Sequence, residues 1–113
     1  SFEKNLRGHT MAETITVNVP NKHTKVEAKS RIKNGFHTVQ EQIAGKGVAV
    51  DQVWDGDRMD FKAGAMGQSI TGHLIVRDDD IHIEVDLPWI LAKLSGGIKE
   101  KLAKGTQLLL EKK

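Results

Sequence analysis

The 113-residue sequence contains no cysteine, no tyrosine and only two prolines, and it has no long apolar run. Without cysteine the chain has no disulfide, no thiol nucleophile and no thiolate metal site. No stretch approaches the roughly 18 consecutive apolar residues that a membrane-spanning helix needs. Aromatic residues make up only 4% of the chain, which does not favour a surface that stacks nucleic-acid bases. We therefore expect neither a transmembrane segment nor a nucleic-acid partner.

What is present indicates one globular domain, because 38% of the residues are hydrophobic and 28% are charged. Met11 reads as a natural start before the first strand-like run, so residues 11–113 are expected to form this domain. Ser1 to Thr10 are expected to be a cloning remnant or an upstream extension. The absence of cysteine and of a secretory signal predicts a cytoplasmic location.

The formal net charge of +2 conceals an uneven distribution along the chain. Residues 22–46 hold six basic and two acidic side chains, and residues 88–113 hold the same numbers. Residues 47–87 hold three basic and nine acidic side chains. The two basic segments bear on the choice of partner rather than on the fold.

The first half of the chain predicts a strand followed by a helix. Residues 14–19 alternate apolar and polar side chains until Pro20-Asn21, as in a half-buried strand. Thr24 and Glu27 have the spacing of a capping box, which predicts a helix from Lys25 to Ala44 that ends at Gly45. Gly35 is expected to weaken this helix. Its predicted apolar stripe is Val26, Ile32, Phe36, Val39 and Ile43.

The centre of the chain predicts a meander of four strands. Asp55-Gly56 is a hairpin signal, and a turn at these two residues sets Asp51 opposite Asp60, an unfavourable pair. The core face of this hairpin is then Val48, Val50, Met59 and Phe61, with Trp54 at its edge.

The next hairpin has a register that burial determines. Alternating apolar residues occupy positions 70–76 and 81–87, and pairing Val76 with Ile81 turns both sets to one face. The outer face then pairs Ile75 with His82, His73 with Glu84, and Thr71 with Asp86.

A second helix is predicted after Pro88, with Gly96-Gly97 as a kink or break. Its predicted apolar stripe is Leu91, Leu94, Ile98, Leu102 and Leu109. The element order β-α-β-β-β-β-α predicts an α+β fold of two layers, an antiparallel sheet of about five strands with both helices on one face.

Two clusters invite a metal-binding interpretation. His73, His82 and Glu84 share the outer sheet face, but an open sheet offers no pocket, so we favour a solvated pair between His73 and Glu84 over a zinc site. Asp78-Asp79-Asp80 lacks the spaced ligands of a calcium loop and is interpreted as a solvated turn. No catalytic, cofactor-binding or metal-binding residue is assigned.

The second helix carries the candidate interaction surface, which consists of Trp89, Lys93, Lys101, Lys104, Leu108 and Leu110. Lysines beside a leucine-rich stripe are typical of a helix that lies at an interface. They are also typical of a core-facing helix with a solvated lysine face, which we favour because the sheet needs a cover.

Two groups of motifs occur at defined spacing in the chain. The first is Trp54-Asp55-Gly56-Asp57, Phe61, Ala65-Met66-Gly67, Ile70 and Gly72, and the second is Val76, an acidic turn, Leu87-Pro88-Trp89 and Ile98. In order and spacing they resemble the bacterial polyhydroxyalkanoic acid system protein family, also named polyhydroxyalkanoate granule-region proteins, over about residues 13–112.

The resemblance implies a small bacterial protein encoded in some genomes near polyhydroxyalkanoate synthesis and granule genes, and it implies no reaction or cofactor. It leads to the hypothesis of a non-enzymatic binding protein at the granule surface, with the polymer or granule proteins as partners. The alternative is a carrier or enzyme for a small hydroxyacyl or lipid-like ligand, with a cavity between helices and sheet and Gln52 inside it.

Overall fold

The computed structural model describes residues 12–45, 50–65 and 68–111. Within these ranges it contains five strands, a short 3₁₀ helix and two α-helices, in the predicted order. The elements are β1 (Ala12–Pro20), α1 (Lys25–Ala44), β2 (Val50–Asp55), β3 (Arg58–Ala65), β4 (Gln68–Val76), β5 (Asp80–Pro88), the 3₁₀ helix (Trp89–Leu94) and α2 (Ser95–Glu111).

The strands form one open antiparallel sheet in the order β1-β5-β4-β3-β2. The first strand therefore pairs with the last, and β1 and β2 are the two edges of the sheet. The α+β prediction with both helices over one face is confirmed. Because each strand alternates its side chains, the buried apolar side chains of β1, β4 and β5 face the helices and the intervening, more exposed side chains face the other side of the sheet.

The core lies between the sheet and the two helices. Phe36 of α1 meets Phe61 of β3 edge to face, with the ring centroids 5.2 Å apart. Around this pair the fully buried large side chains are Ile32, Met59, Leu74, Ile81, Ile83, Leu87 and Leu102.

The hairpin between β4 and β5 has the predicted register. Val76 lies opposite Ile81 and Leu74 opposite Ile83, and all four side chains are buried. On the outer face, His73 lies opposite Glu84. Arg77 and Asp80 join the ends of the turn through a backbone hydrogen bond of 2.9 Å and a side-chain contact of 2.7 Å.

The predicted register of the hairpin between β2 and β3 is wrong by two residues. The turn lies at Gly56-Asp57 instead of Asp55-Gly56, with Gly56 in the left-handed region at a φ of 62°. Asp51 consequently faces Lys62 and not Asp60, so the shift replaces a repulsive pair by an attractive one. Because the shift is even, Met59 and Phe61 still face the core as predicted. Val48 lies outside the described residues.

Helix α1 has the predicted bounds and the predicted N-cap. The Thr24 hydroxyl accepts a hydrogen bond of 3.1 Å from the Glu27 backbone N–H. The Glu27 side chain, however, accepts from Arg31 at 2.8 Å. Val26 was assigned wrongly to the buried stripe, because its side chain is 80% exposed and Ala28 takes the core position at this end of the helix.

Gly35 allows α2 to pack closely against α1, a role beyond the weakening of the helix that was expected from the sequence. A β-carbon at Gly35 would lie 2.3 Å from Leu109 Cδ2 in α2, and one at Gly105 would lie 2.9 Å from Val39 Cγ2. The two glycines therefore let the antiparallel helices α1 and α2 approach closely, which sequence periodicity does not reveal.

The predicted break at Gly96-Gly97 is not observed. Helix α2 runs through both glycines, and the change from 3₁₀ to α geometry occurs earlier, between Leu94 and Ser95. Leu94 was assigned wrongly to the buried stripe, because only Leu91 of the 3₁₀ helix is buried. The stripe of α2 that faces the core is Ile98, Leu102, Thr106 and Leu110, with Leu109 half-buried beside it.

Asp57 in the β2–β3 turn links the sheet to α1 through Lys25 at 3.1 Å and Lys29 at 3.4 Å. The hydrogen bond from Lys25 is the main reason that the pKa of Asp57 is below its usual value. Because the pKa of Asp57 is lower in the folded protein, its ionised carboxylate stabilises the fold at pH values above the unfolded-state pKa. This stabilisation is lost as the pH falls through the folded-state pKa.

We therefore predict that Asp57→Asn lowers the melting temperature slightly at pH 7. The difference from the unchanged protein should shrink as the pH falls below about 4, where the carboxyl is protonated in the unfolded chain. Asp79→Asn in the β4–β5 turn is the matched control, because the Asp79 side chain is exposed and forms no ion pair with a described residue, and it should leave the melting temperature at pH 7 nearly unchanged. Thermal melts between pH 2.5 and 7 measure both, and a pH-independent effect of Asp57→Asn would contradict the prediction.

Candidate functional site

Five of the six residues of the predicted interaction surface are exposed. Trp89 and Leu108 are 58% and 61% exposed, and the three lysines at positions 93, 101 and 104 also reach solvent. Leu110 is 6% exposed and was assigned wrongly, because it continues the buried i, i+4 stripe of α2.

The 3₁₀ helix adds two apolar side chains that the sequence prediction missed. Pro88 ends β5 in an extended conformation, and the following six residues bury only Leu91 against the core. Ile90 and Leu94 are 51% and 44% exposed next to Trp89. Among the described residues, three of the six exposed large hydrophobic side chains thus lie in this one short helix. The run Trp-Ile-Leu-Ala-Lys-Leu contains more large apolar residues than one helix face can bury. This excess could have predicted from the sequence that some of these side chains are exposed.

The exposed side of α2, which follows the 3₁₀ helix in the chain, carries lysines and one exposed leucine. Positions 101, 104 and 108 are spaced by three and four residues, so Lys101, Lys104 and Leu108 share one stripe of the helix. Among the described residues, no carboxylate forms an ion pair with Lys93, Lys101 or Lys104. We name Trp89, Ile90, Lys93, Leu94, Lys101, Lys104 and Leu108 the α2 surface.

Two hydrogen bonds hold α2 against α1 and against the loop that precedes α1. The Lys101 ammonium donates to the Gln42 carbonyl at 3.1 Å, near the C-terminus of α1. The Lys101 ammonium compensates the partial negative charge at the C-terminal end of α1. Helix α1 has no basic residue of its own in its last turn to do this. At the other end of α2, the carbonyl of Leu110 lies 2.6 Å from His23 Nε2. These contacts fix the orientation of the α2 surface relative to the sheet.

The region around Gln52 is occupied by protein side chains. Gln52 Nε2 donates to Gln40 Oε1 at 2.8 Å, and Gln40 Nε2 donates to the Lys62 carbonyl at 3.3 Å. Gln40 is only 2% exposed. The amide of Gln52 is thus satisfied inside the fold, which does not favour the expected ligand cavity at this position.

A groove of about 570 Å³ lies instead along the seam of the two helices. Thr38 and Gln42 line it on the α1 side, and Gly105 and Leu108 line it on the α2 side. Leu108 therefore belongs both to this groove and to the α2 surface.

The outer sheet face carries the histidines of the metal-binding interpretation. His82 Nε2 lies 2.9 Å from Glu84 Oε2, whereas His73 Nε2 lies 3.8 Å from Glu84 Oε1. The contact with His82 is the main reason that the pKa of Glu84 is lowered. Among the described residues, no group of three His, Asp or Glu side chains is placed to hold a metal ion. The cross-strand pair that we favoured is present, but the closer partner of Glu84 is His82 on its own strand.

The Asp78-Asp79-Asp80 turn also has a structural explanation, because one of its carboxylates forms an ion pair within the hairpin. Arg77 donates to both carboxylate oxygens of Asp80, at 2.7 and 2.8 Å, and this interaction lowers the pKa of Asp80. Met66 and Gly67 of the motif Ala65-Met66-Gly67 lie outside the described residues.

None of the helices in the described ranges has both the length and the hydrophobicity that crossing a bilayer would require.

A comparison with curated proteins and with solved structures finds no match to the chain. A family model with the description "Putative polyhydroxyalkanoic acid system protein" matches residues 15–110, which is most of the chain and includes the sheet and both helices. The chain therefore belongs to the polyhydroxyalkanoic acid system protein family.

Proposed function

We propose that this protein is a non-enzymatic interaction protein that binds the surface of polyhydroxyalkanoate granules in the cytoplasm through its α2 surface. The observation that carries the proposal is the cluster of Trp89, Ile90 and Leu94, which are 58%, 51% and 44% exposed within six residues. Exposed apolar clusters of this kind mark interaction sites, whereas single exposed apolar residues are common on any protein.

The chemistry of the granule surface fits this cluster. A polyester of hydroxyacyl units presents methylene and methyl groups, which would cover the apolar side chains of the 3₁₀ helix. Its chain ends and its anionic surface components would attract Lys93, Lys101 and Lys104, which have no carboxylate partner among the described residues. The family to which the chain belongs carries the name of the same polymer system, which supports the choice of partner.

We favour a surface site over a ligand cavity because the expected cavity residue is already engaged. Gln52 donates its amide to buried Gln40, so a hydroxyacyl chain would have to displace a protein hydrogen bond there. The α2 surface is exposed without any rearrangement.

Sedimentation with particles of amorphous poly(3-hydroxybutyrate) tests the proposal. The double variant Trp89→Ser, Ile90→Ser should bind about thirtyfold more weakly than the unchanged protein. Each of the two side chains is about half exposed, so covering both should contribute about 2 kcal/mol in total. Melting temperatures should stay unchanged because neither side chain is in the core.

The matched controls are Val26→Ser on α1 and Val53→Ser on β2, which remove side chains that are 80% and 64% exposed elsewhere on the protein. Neither should change binding. Equal losses in the controls and in the double variant would show non-specific hydrophobic adsorption and would contradict the proposal. In cells that accumulate the polymer, tagged protein should be found in the granule fraction, and its presence only in the soluble fraction would also contradict it.

A further inference from the structure

Strand β1 is an edge of the sheet along its entire length. Nine consecutive residues pair with β5 without a bulge, from Ala12 opposite Pro88 to Pro20 opposite Asp80. On its other side, no described residue pairs with β1. An edge of this length presents a row of backbone N–H and C=O groups that can pair with another strand.

The identity of these free backbone groups follows from one hydrogen bond. The Asn21 N–H donates to the Asp79 carbonyl at 2.9 Å, and this pair continues the β1–β5 register. In an antiparallel ladder, hydrogen-bonded pairs alternate with non-bonded pairs, so the odd-numbered residues of β1 bond to β5. The even-numbered residues therefore direct their N–H and C=O groups to the free edge. Pro20, which has no N–H, is one of them, as expected for a proline in an edge strand.

The even-numbered side chains of β1 do not oppose pairing with a copy of itself, and its one charged residue, Glu13, lies near the start of the strand. The even-numbered Thr14, Thr16 and Asn18 are exposed and uncharged, and the strand contains no lysine and no internal proline. The opposite edge, β2, is only six residues long and carries Asp51 and Asp55. Self-pairing of β2 centred on Val53 would set these two carboxylates opposite each other, which opposes association.

We propose that β1 pairs antiparallel with β1 of a second copy of this chain about a two-fold axis at Thr16. In this register Thr16 faces Thr16 of the second copy, and Thr14 faces Asn18 of the second copy. Three reciprocal pairs then supply about six backbone hydrogen bonds. The two sheets join into one sheet of ten strands.

The same register matches the two faces of the sheet. Residues that lie opposite each other share a face, so Ile15 of one copy meets Val17 of the other on the helix side. Thr14, Thr16 and Asn18 meet on the polar side, and no two like charges lie opposite each other. This self-complementarity is what a two-fold interface requires.

Helix α2 packs over β1 on the helix side of this edge. A groove of about 570 Å³ lies beside the end of β1, lined by Pro20 and by Gln107, Leu110 and Glu111 of α2. In the proposed dimer the α2 helices of the two copies lie side by side across the two-fold axis.

Disulfide trapping tests the register directly, because the chain has no cysteine of its own. In a hydrogen-bonded antiparallel pair the two α-carbons are about 5.5 Å apart, within the range of about 4.4–6.8 Å that a disulfide spans. Under mild oxidation, Thr16→Cys should form a covalent dimer as the main species on a non-reducing gel. Thr14→Cys alone should give at least about tenfold less, because its two thiols would be four residues, or about 13 Å, apart.

An equimolar mixture of Thr14→Cys and Asn18→Cys should form the mixed dimer, since these positions face each other. The unchanged protein should have twice the 12.5 kDa mass of the chain in solution, and Thr16→Pro, which removes an N–H that β5 does not use, should restore the monomer mass. A monomeric unchanged protein at high concentration, or equal cross-linking of Thr14→Cys and Thr16→Cys, would overturn the proposal.

Discussion

Ile83→Asp is expected to abolish the cooperative thermal transition of the protein. Ile83 is fully buried at the centre of the sheet, opposite Val17 of β1 on one side and Leu74 of β4 on the other. Removing its apolar surface costs about 3 kcal/mol, and placing an unpaired carboxylate there adds several more. A domain of this size has a total free energy of unfolding of about 5–15 kcal/mol, so the substitution should unfold most molecules.

The adjacent residue on the same strand provides the control. His82 faces the opposite side of the sheet, where it contacts Asn18 at 2.8 Å and Glu84 at 2.9 Å. His82→Ala removes only these solvent-side contacts and should cost about 1 kcal/mol or less. Circular dichroism melts compare the two variants. If Ile83→Asp retained a sharp transition near that of the unchanged protein, the burial of this face would be refuted.

Gly72→Val is expected to lower the free energy of unfolding by about 3 kcal/mol, or the melting temperature by about 12 °C. Gly72 lies in β4 directly opposite Phe61 of β3. A β-carbon at this position would lie 2.4 Å from the Glu84 backbone oxygen and 2.8 Å from Phe61 Cζ. The backbone atom cannot rotate away, so β5 itself would have to shift. The Phe61 ring fills the space that the missing side chain leaves, which explains a glycine in the middle of a strand.

Thr71→Val is the matched control for this prediction. It places the same side chain one residue earlier in β4, on the exposed face, and replaces a residue that is already β-branched. Its melting temperature should stay within about 2 °C of the unchanged protein. A Gly72→Val variant that melts together with Thr71→Val would show that the close contact with Glu84 and Phe61 is not needed.

Much of the fold could be predicted because local patterns and burial agree. The alternation in β1, β4 and β5 determines which side chains face the core, and a slip by one residue would expose all of them. Thr24 and Gly45 mark the ends of α1 because helix termini need partners for their free backbone groups. The β2–β3 turn was misplaced because Asp55-Gly56 and Gly56-Asp57 are both acceptable turns locally. Only the charges on neighbouring strands distinguish them.

The candidate site was predictable in part. The lysines at positions 93, 101 and 104 were placed on the surface because charged side chains are rarely buried. Leu110 and Leu94 were assigned to the wrong sides because a leucine-rich helix contains more apolar residues than its buried face can hold. Which of them are covered depends on where the 3₁₀ helix ends and α2 begins.

Local periodicity and charge were enough to predict the order of the elements, the core face of each strand and the division between basic and acidic segments. Three features emerge only in the folded protein: β1 pairs with β5, Gly35 and Gly105 let two helices touch, and Gln52 bonds to Gln40. These features join residues distant in sequence, and their energies come from close packing and from satisfied buried polar groups, neither of which leaves a local pattern.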